Sequence, residues 1–158
     1  MTMRLAVAVA SLAICACSSS GRDGGVRSVT AAPSGDGDAI VGALADASLP
    51  KGECGMILWT LEADQPTPIL KVIAGKGAEM VVNGKLLKFS VIETGGAAGF
   101  GVFEEQKLAS EKMTADVRVR FALGFDGGSY LERGLVTIES PGGWRTVIPA
   151  AGVAGCRS

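Results

Sequence analysis

The stretch "TADVRVRFALGF", Thr114 to Phe125, decides the fold class of this chain. Val117, Val119, Phe121, Leu123 and Phe125 fall on one parity, and Asp116, Arg118, Arg120 and Ala122 on the other. Successive side chains of a strand point to opposite faces, so a period of two separates an apolar face from a wet one. A strand buried on one side and solvated on the other follows.

The same period runs outward in both directions. In "EMVVNGKLLKFSVIE", Asn83-Gly84 stands between apolar runs, the pair that a tight type I′ turn requires at its two positive-φ positions. Leu87, Phe89 and Val91 then share one face of the second arm. Upstream, Gly55 to Glu62 and Thr67 to Ala74 flank the turn residues "ADQP". Downstream, Phe100 to Gln106 follows the glycine-rich "GGAAG", and Leu131 to Glu139 and Trp144 to Ile148 flank "SPGG". About eight short, mainly antiparallel strands with regular turn punctuation predict an all-β domain, a small barrel or a sandwich. Two stretches have helical character. Ala39 to Ala47 is expected to form two helical turns with Asp38 as N-cap, and Glu104 to Thr114 could hold a further turn.

The N-terminus has a different composition. Met1 to Arg4 is a short basic tip, and Leu5 to Ala16 is apolar except for Ser11. About a dozen apolar residues are too few to span a bilayer, but they match a secretory signal. Ile14-Cys15-Ala16-Cys17 resembles the lipobox of bacterial lipoproteins. That resemblance implies cleavage after Ala16, diacylglycerol on Cys17 and anchoring in a lipid bilayer through its acyl chains. In Gram-negative lipoproteins an aspartate after the lipidated cysteine favours inner-membrane retention. Ser18 therefore implies a periplasm-facing anchor in the bacterial outer membrane, with the cell surface also open. The resulting organisation is a signal at 1–16, a flexible Ser/Gly/Asp-rich tether at 17–45 and a β domain at 46–158.

Charge narrows the partners. The chain has 15 basic and 16 acidic residues and a net charge of −1. Losing the signal removes only Arg4 and leaves the remainder slightly acidic, without the basic stripe that nucleic acid demands. Cys54 and Cys156 lie near the two ends of the strand region. In an oxidising compartment they predict a disulfide that closes the domain.

Catalytic options are few. The chain contains no histidine, which removes Ser-His-Asp and Cys-His arrangements and imidazole metal ligation. The glycines of "GGAAGFG" and "AGKGAE" precede strand-like sequence, not a helix, and read as turns. Asp126 reads as a turn aspartate. Glu104 and Glu105 are neighbours and face opposite ways on a strand, and Glu111 is the remaining carboxylate of that stretch. No cofactor is implied, and the chain reads as a non-enzyme.

Recognition remains. Phe100 and Phe103 in the "GGAAGFGVF" loop, Tyr130 in "DGGSYLERG", and the pair Trp59 and Trp144 are the candidate binding residues. Each has a plainer alternative: tryptophans usually fill β cores, and a glycine-flanked phenylalanine usually plugs a barrel end. The expected function is a membrane-anchored envelope lipoprotein whose β domain binds a protein, cell-wall or small-molecule partner. Size, β pattern, anchor and single disulfide also resemble the periplasmic lipoproteins that inhibit c-type lysozyme, which implies an inhibitor as the alternative. Their short Ser-Gly-Ala-Lys-Tyr-like motif is echoed only by "AGKGAEM", Ala74 to Met80, without its tyrosine, so no site residue is carried across. An enzyme using carboxylates, Ser, Thr and Lys is the lesser alternative.

Overall fold

The computed structural model describes residues 39–61 and 65–158. The signal, Cys17, Ser18, Asp38 and the first half of the Ala63–Pro66 turn lie outside the described residues. Nine strands are described: β1 (Val41–Gly42), β2 (Cys54–Thr60), β3 (Pro68–Ile73), β4 (Gly77–Val82), β5 (Lys85–Gly99), β6 (Val102–Ala109), β7 (Thr114–Phe125), β8 (Gly128–Glu139) and β9 (Arg145–Cys156).

From β2 to β9 each strand pairs antiparallel with the next, and β9 returns to pair with β2 from Cys54↔Cys156 to Thr60↔Ala150. The result is a closed up-and-down barrel, not a sandwich. Closure pairs each of these strands on both sides, β5 being covered by β4 only from Lys85 to Phe89. The Cys54–Cys156 disulfide joins the first and last barrel strands at directly opposed positions.

Alternation explains what fills the interior. Met56 and Leu58 of β2, Leu70 and Val72 of β3, Met80 of β4, Leu108 of β6, Val117 of β7 and Val136 and Ile138 of β8 are all at most 1% exposed. The lumen is therefore a packed apolar core, as in other eight-stranded barrels of this width. The wall opposite the closure seam carries Lys88, Glu93, Glu105, Lys107, Asp116 and Arg118 on its outer side. Apolar inside and charged outside is the reverse of the pattern with which a barrel faces lipid.

Asn83 (φ 51°) and Gly84 (φ 74°) form the tight β4–β5 turn that their sequence demands. Leu87, Phe89 and Val91 turn inward from β5, also as expected. Other expectations are corrected. Ala39 to Ala47 forms no helix. Val41 and Gly42 pair with Val82 and Val81, ahead of the expected domain boundary at 46. Ile40 exchanges bonds with Asn83, its N–H donating to Asn83 Oδ1 at 2.9 Å and its carbonyl accepting from Asn83 N–H at 2.7 Å. Those bonds hold the segment extended. Glu104 to Thr114 is strand up to Ala109 and then a turn, closed by the Ser110 N–H donating to the Met113 carbonyl.

"GGAAG" is not a turn either. It lies within β5, and the chain reverses at Phe100-Gly101, both at positive φ. The glycines serve close approach: a Cβ on Gly96 would lie 2.9 Å from Glu104 Cβ, and one on Gly99 would lie 3.1 Å from the Phe121 ring. Finally, Leu123 is 83% exposed and Phe125 42%. A bulge between Phe121 and Gly124 brings Gly124 opposite the inward Ser129 and sends Leu123 and Phe125 outward.

Replacing both cysteines by serine is expected to cost about 2–5 kcal/mol, because the bond closes a loop with a sequence separation of 102 residues. Urea unfolding of the double variant should show a lowered midpoint. An unchanged midpoint would mean that strand pairing alone determines closure.

Candidate functional site

The barrel exterior has two unlike halves. On the β8–β9–β2 side the outward positions are apolar. β9 presents Val147, Pro149, Ala151 and Val153, and β2 presents Ile57 and Trp59, with Leu61 directly after its end. The register aligns them in rows: Tyr130↔Val153↔Ile57, then Ala151↔Trp59, then Leu135↔Pro149. Leu61 completes the last row, its N–H donating to the Pro149 carbonyl at 3.2 Å. Tyr130 is 52% exposed, Leu61 58% and Val147 55%. At one end the Phe125 ring stacks against Tyr130, centroids 4.9 Å apart and planes at 51°. Beside them a groove of about 540 Å³ is lined by Leu49, Ile57, Phe125, Val153 and Arg157.

The sequence-derived binding residues are divided by this geometry. Tyr130 and Trp59 share the apolar face. Trp144, 58% exposed, sits in the β8–β9 turn beyond the far end of that face. Phe100 packs against the core at the opposite barrel end, the plug expected of a glycine-flanked ring. Phe103 lines a cleft at that same end. Leu135, Val147, Pro149 and Val153 were not among the expected binding residues. For the three on β9 the signal is the lack of any charged side chain between Arg145 and Arg157, which leaves both faces of that strand apolar.

The carboxylates do not converge. Glu104 turns inward on β6, where Oε1 accepts from Phe121 N–H at 3.0 Å and Oε2 from Ala97 N–H at 3.3 Å. It supplies the partners that the bulged ladders of β5 and β7 lack. Glu105 points outward, and Glu111 lies in the β6–β7 turn. Asp126 forms the β7–β8 turn with Gly127 (φ 82°). Ala74 to Met80 forms the β3–β4 turn and most of β4.

Next to the apolar face, residues 43–50 lie as a strap over the outside of β2 and β3. Leu44 N–H donates to the Pro68 carbonyl at 2.8 Å. Lys71, an outward residue of β3 only 7% exposed, reaches Glu79 at 2.9 Å and Asp46 at 3.9 Å. Arg157 fastens the other end, donating to the Leu49 carbonyl at 2.8 Å. Burial of an ammonium is tolerated only with such partners. The strap leaves Ile57 only 6% exposed and marks one border of the apolar face.

No family model, curated protein or solved structure matches this chain.

Hydrogen bonds from the Ser48 hydroxyl and N–H, with Lys71 and Arg157 nearby, hold the Asp46 carboxyl below its ordinary range. A depressed folded pKa contributes stability that is present above the unfolded pKa and lost as pH falls through the folded one. In Ser48→Ala the Asp46 pKa should rise toward the ordinary aspartate value, followed by NMR titration of its carboxyl carbon. An unmoved titration would assign the depression to the cations instead.

Proposed function

We propose that this chain is an envelope lipoprotein, anchored by acylated Cys17 in the bacterial outer membrane, whose barrel binds a partner protein through its apolar outer face. One observation carries the binding reading: the rows across β8, β9 and β2 leave Tyr130, Leu135, Val147 and Leu61 exposed together. Contiguous exposed apolar surface of more than a few hundred Å² is uncommon on monomers and marks interaction sites. Tyrosine and tryptophan are the residues most often at the energetic centre of such sites, because a ring buries large area at little entropic cost. Trp59 and Tyr130 occupy that position here. The rest of the reading is supported by the lipobox-like Ile14–Cys17 and by the polar stretch between it and the barrel. In this arrangement the protein acts by contact, not by chemistry.

The two halves are tested separately. Cys17→Ser is expected to move the protein from the membrane to the soluble fraction. The intact mass of the membrane form should equal residues 17–158 plus a diacylglycerol and a third acyl chain. A soluble wild-type protein would overturn the anchor. For the face, a photo-crosslinking residue at Val147 or Leu135 should give one discrete adduct in intact envelopes, and the same residue at Lys107 none. Equal labelling from both sides would overturn the assignment. Leu135→Glu and Val147→Glu, both at exposed positions, should abolish the adduct while changing stability by no more than about 0.5 kcal/mol.

A further inference from the structure

A second site lies at the barrel end that carries the disulfide, away from the apolar face. β4 pairs with β5 only from Lys85 to Phe89, whereas β5 continues to Gly99. Beyond Phe89 the β5–β6 hairpin leaves the wall and curls over the mouth. Its tip meets the β3–β4 turn, where a Cβ on Gly101 would lie 2.5 Å from Ala74 Cβ. Between tip, turn and wall is a cleft of about 370 Å³, lined by Val72, Gly75, Val91, Thr94, Phe103 and Gln106. That volume falls in the range of small-ligand sites.

Two unmet backbone and side-chain groups face this cleft. The first is a strand edge. Val82↔Lys85 closes a two-residue turn, so Lys85, Leu87 and Phe89 direct their N–H and carbonyl groups at β4. The same alternation directs those of Val91 at the place β4 no longer occupies. The β4 ladder ends at Ala78↔Phe89, and no turn or loop backbone group among the described residues bonds to Val91. The second is Gln106, an inward residue of β6 that is only 5% exposed. Its Nε2 donates to the Phe103 carbonyl at 3.2 Å and lies 3.8 Å from Met56 Sδ. Its Oε1 accepts no hydrogen bond among the described residues. Every fully enclosed side-chain N or O atom among them has a partner, so Oε1 is not fully enclosed, and Gln106 lines the cleft.

An unpaired edge offers one donor and one acceptor in the spacing of a β ladder, and a buried amide oxygen beside it asks for a donor. Val72, Val91 and Phe103 supply apolar walls. We propose that the cleft takes a short extended peptide, paired along the β5 edge at Val91 and seated with an N–H on Gln106 Oε1. This is strand addition into a gap of the barrel wall, in which main-chain bonds give affinity and the walls select small apolar side chains. It uses no residue of the outer face and stands or falls independently of it.

The probe is the blocked tripeptide acetyl-Val-Ser-Val-amide, titrated into the ¹⁵N-labelled full chain. Saturable shifts are expected at the Val91 and Thr94 amides and at the Gln106 side-chain NH₂, with slowed hydrogen exchange at Val91. Gln106→Leu should weaken binding about tenfold, the loss of one hydrogen bond. Thr94→Trp, at an exposed position whose side chain lines the cleft, should fill it and abolish the shifts while leaving the melting temperature unchanged. Absence of saturable shifts at millimolar peptide would overturn the proposal. So would shifts that survive Thr94→Trp, or shifts confined to Tyr130 and Val147.

Discussion

Antiparallel pairing between β2 and β9 is the constraint on which the rest of this molecule depends. Without it the meander would be an open twisted sheet with edges at both ends and an interior face exposed to water. With it, the inward residues of eight strands meet across one lumen and exclude solvent from one another. The Cys54–Cys156 bond fixes the register of this pairing at its first step. A one-residue slip there would send Met56 and Leu58 outward and Ile57 and Trp59 into the core. The covalent link therefore stabilises the barrel, and it also decides which residues become the apolar outer face.

That face is the price of the seam's composition. β9 turns small residues inward, Ala154 between Met56 and Ser129 and Ala150 between Thr60 and Gly134, yet its outward positions are apolar as well. Elsewhere on the barrel the outer side carries opposite charges in cross-strand rows, such as Glu93↔Lys107↔Asp116 and Glu105↔Arg118. Such rows are well solvated and bind nothing strongly by themselves. The contrast between the two halves is sharper than core packing requires. The strap over β2 and β3 sharpens it further, because it covers the part of the outer wall that adjoins the apolar face on one side. Lys71 shows how firmly that cover is held: its ammonium is withdrawn from water and faces two carboxylates, one on the wall and one on the strap.

Much of the fold was legible in the sequence. Period-two alternation from Thr114 to Phe121, the Asn83-Gly84 turn and the spacing of Cys54 and Cys156 are local signals, and each led to the observed element. What escaped was set by contacts distant in sequence. The bulge after Phe121 is invisible in the alternation that runs through it, so Leu123 and Phe125 were expected inside. Glycines at 95–99 resemble a turn until Glu104 and Phe121 are seen to occupy the space their side chains would need. Ala39 to Ala47 is compatible with a helix by propensity. Pairing with β4 and the bonds to Asn83 override that preference. The candidate binding residues are all aromatic, a class that is sparse in this chain. The face that Tyr130 and Trp59 share depends on Val147, Pro149 and Leu135, ordinary aliphatic positions whose exposure only the register reveals.

The strap also has a mechanical meaning. A load applied through the chain ahead of Ala39 meets β1 first, then the Lys71 pin and the Arg157 clasp, before it reaches the barrel. These are the two-residue pairing and a handful of polar contacts, arranged to yield one after another. Peeling residues 39–53 would lengthen the chain by about 50 Å at full extension. At Cys54 the peeling ends, because the disulfide ties that residue to Cys156 and β2 cannot strip away from β9 at that end. The barrel is thus a covalently closed body with a short extensible leader in series.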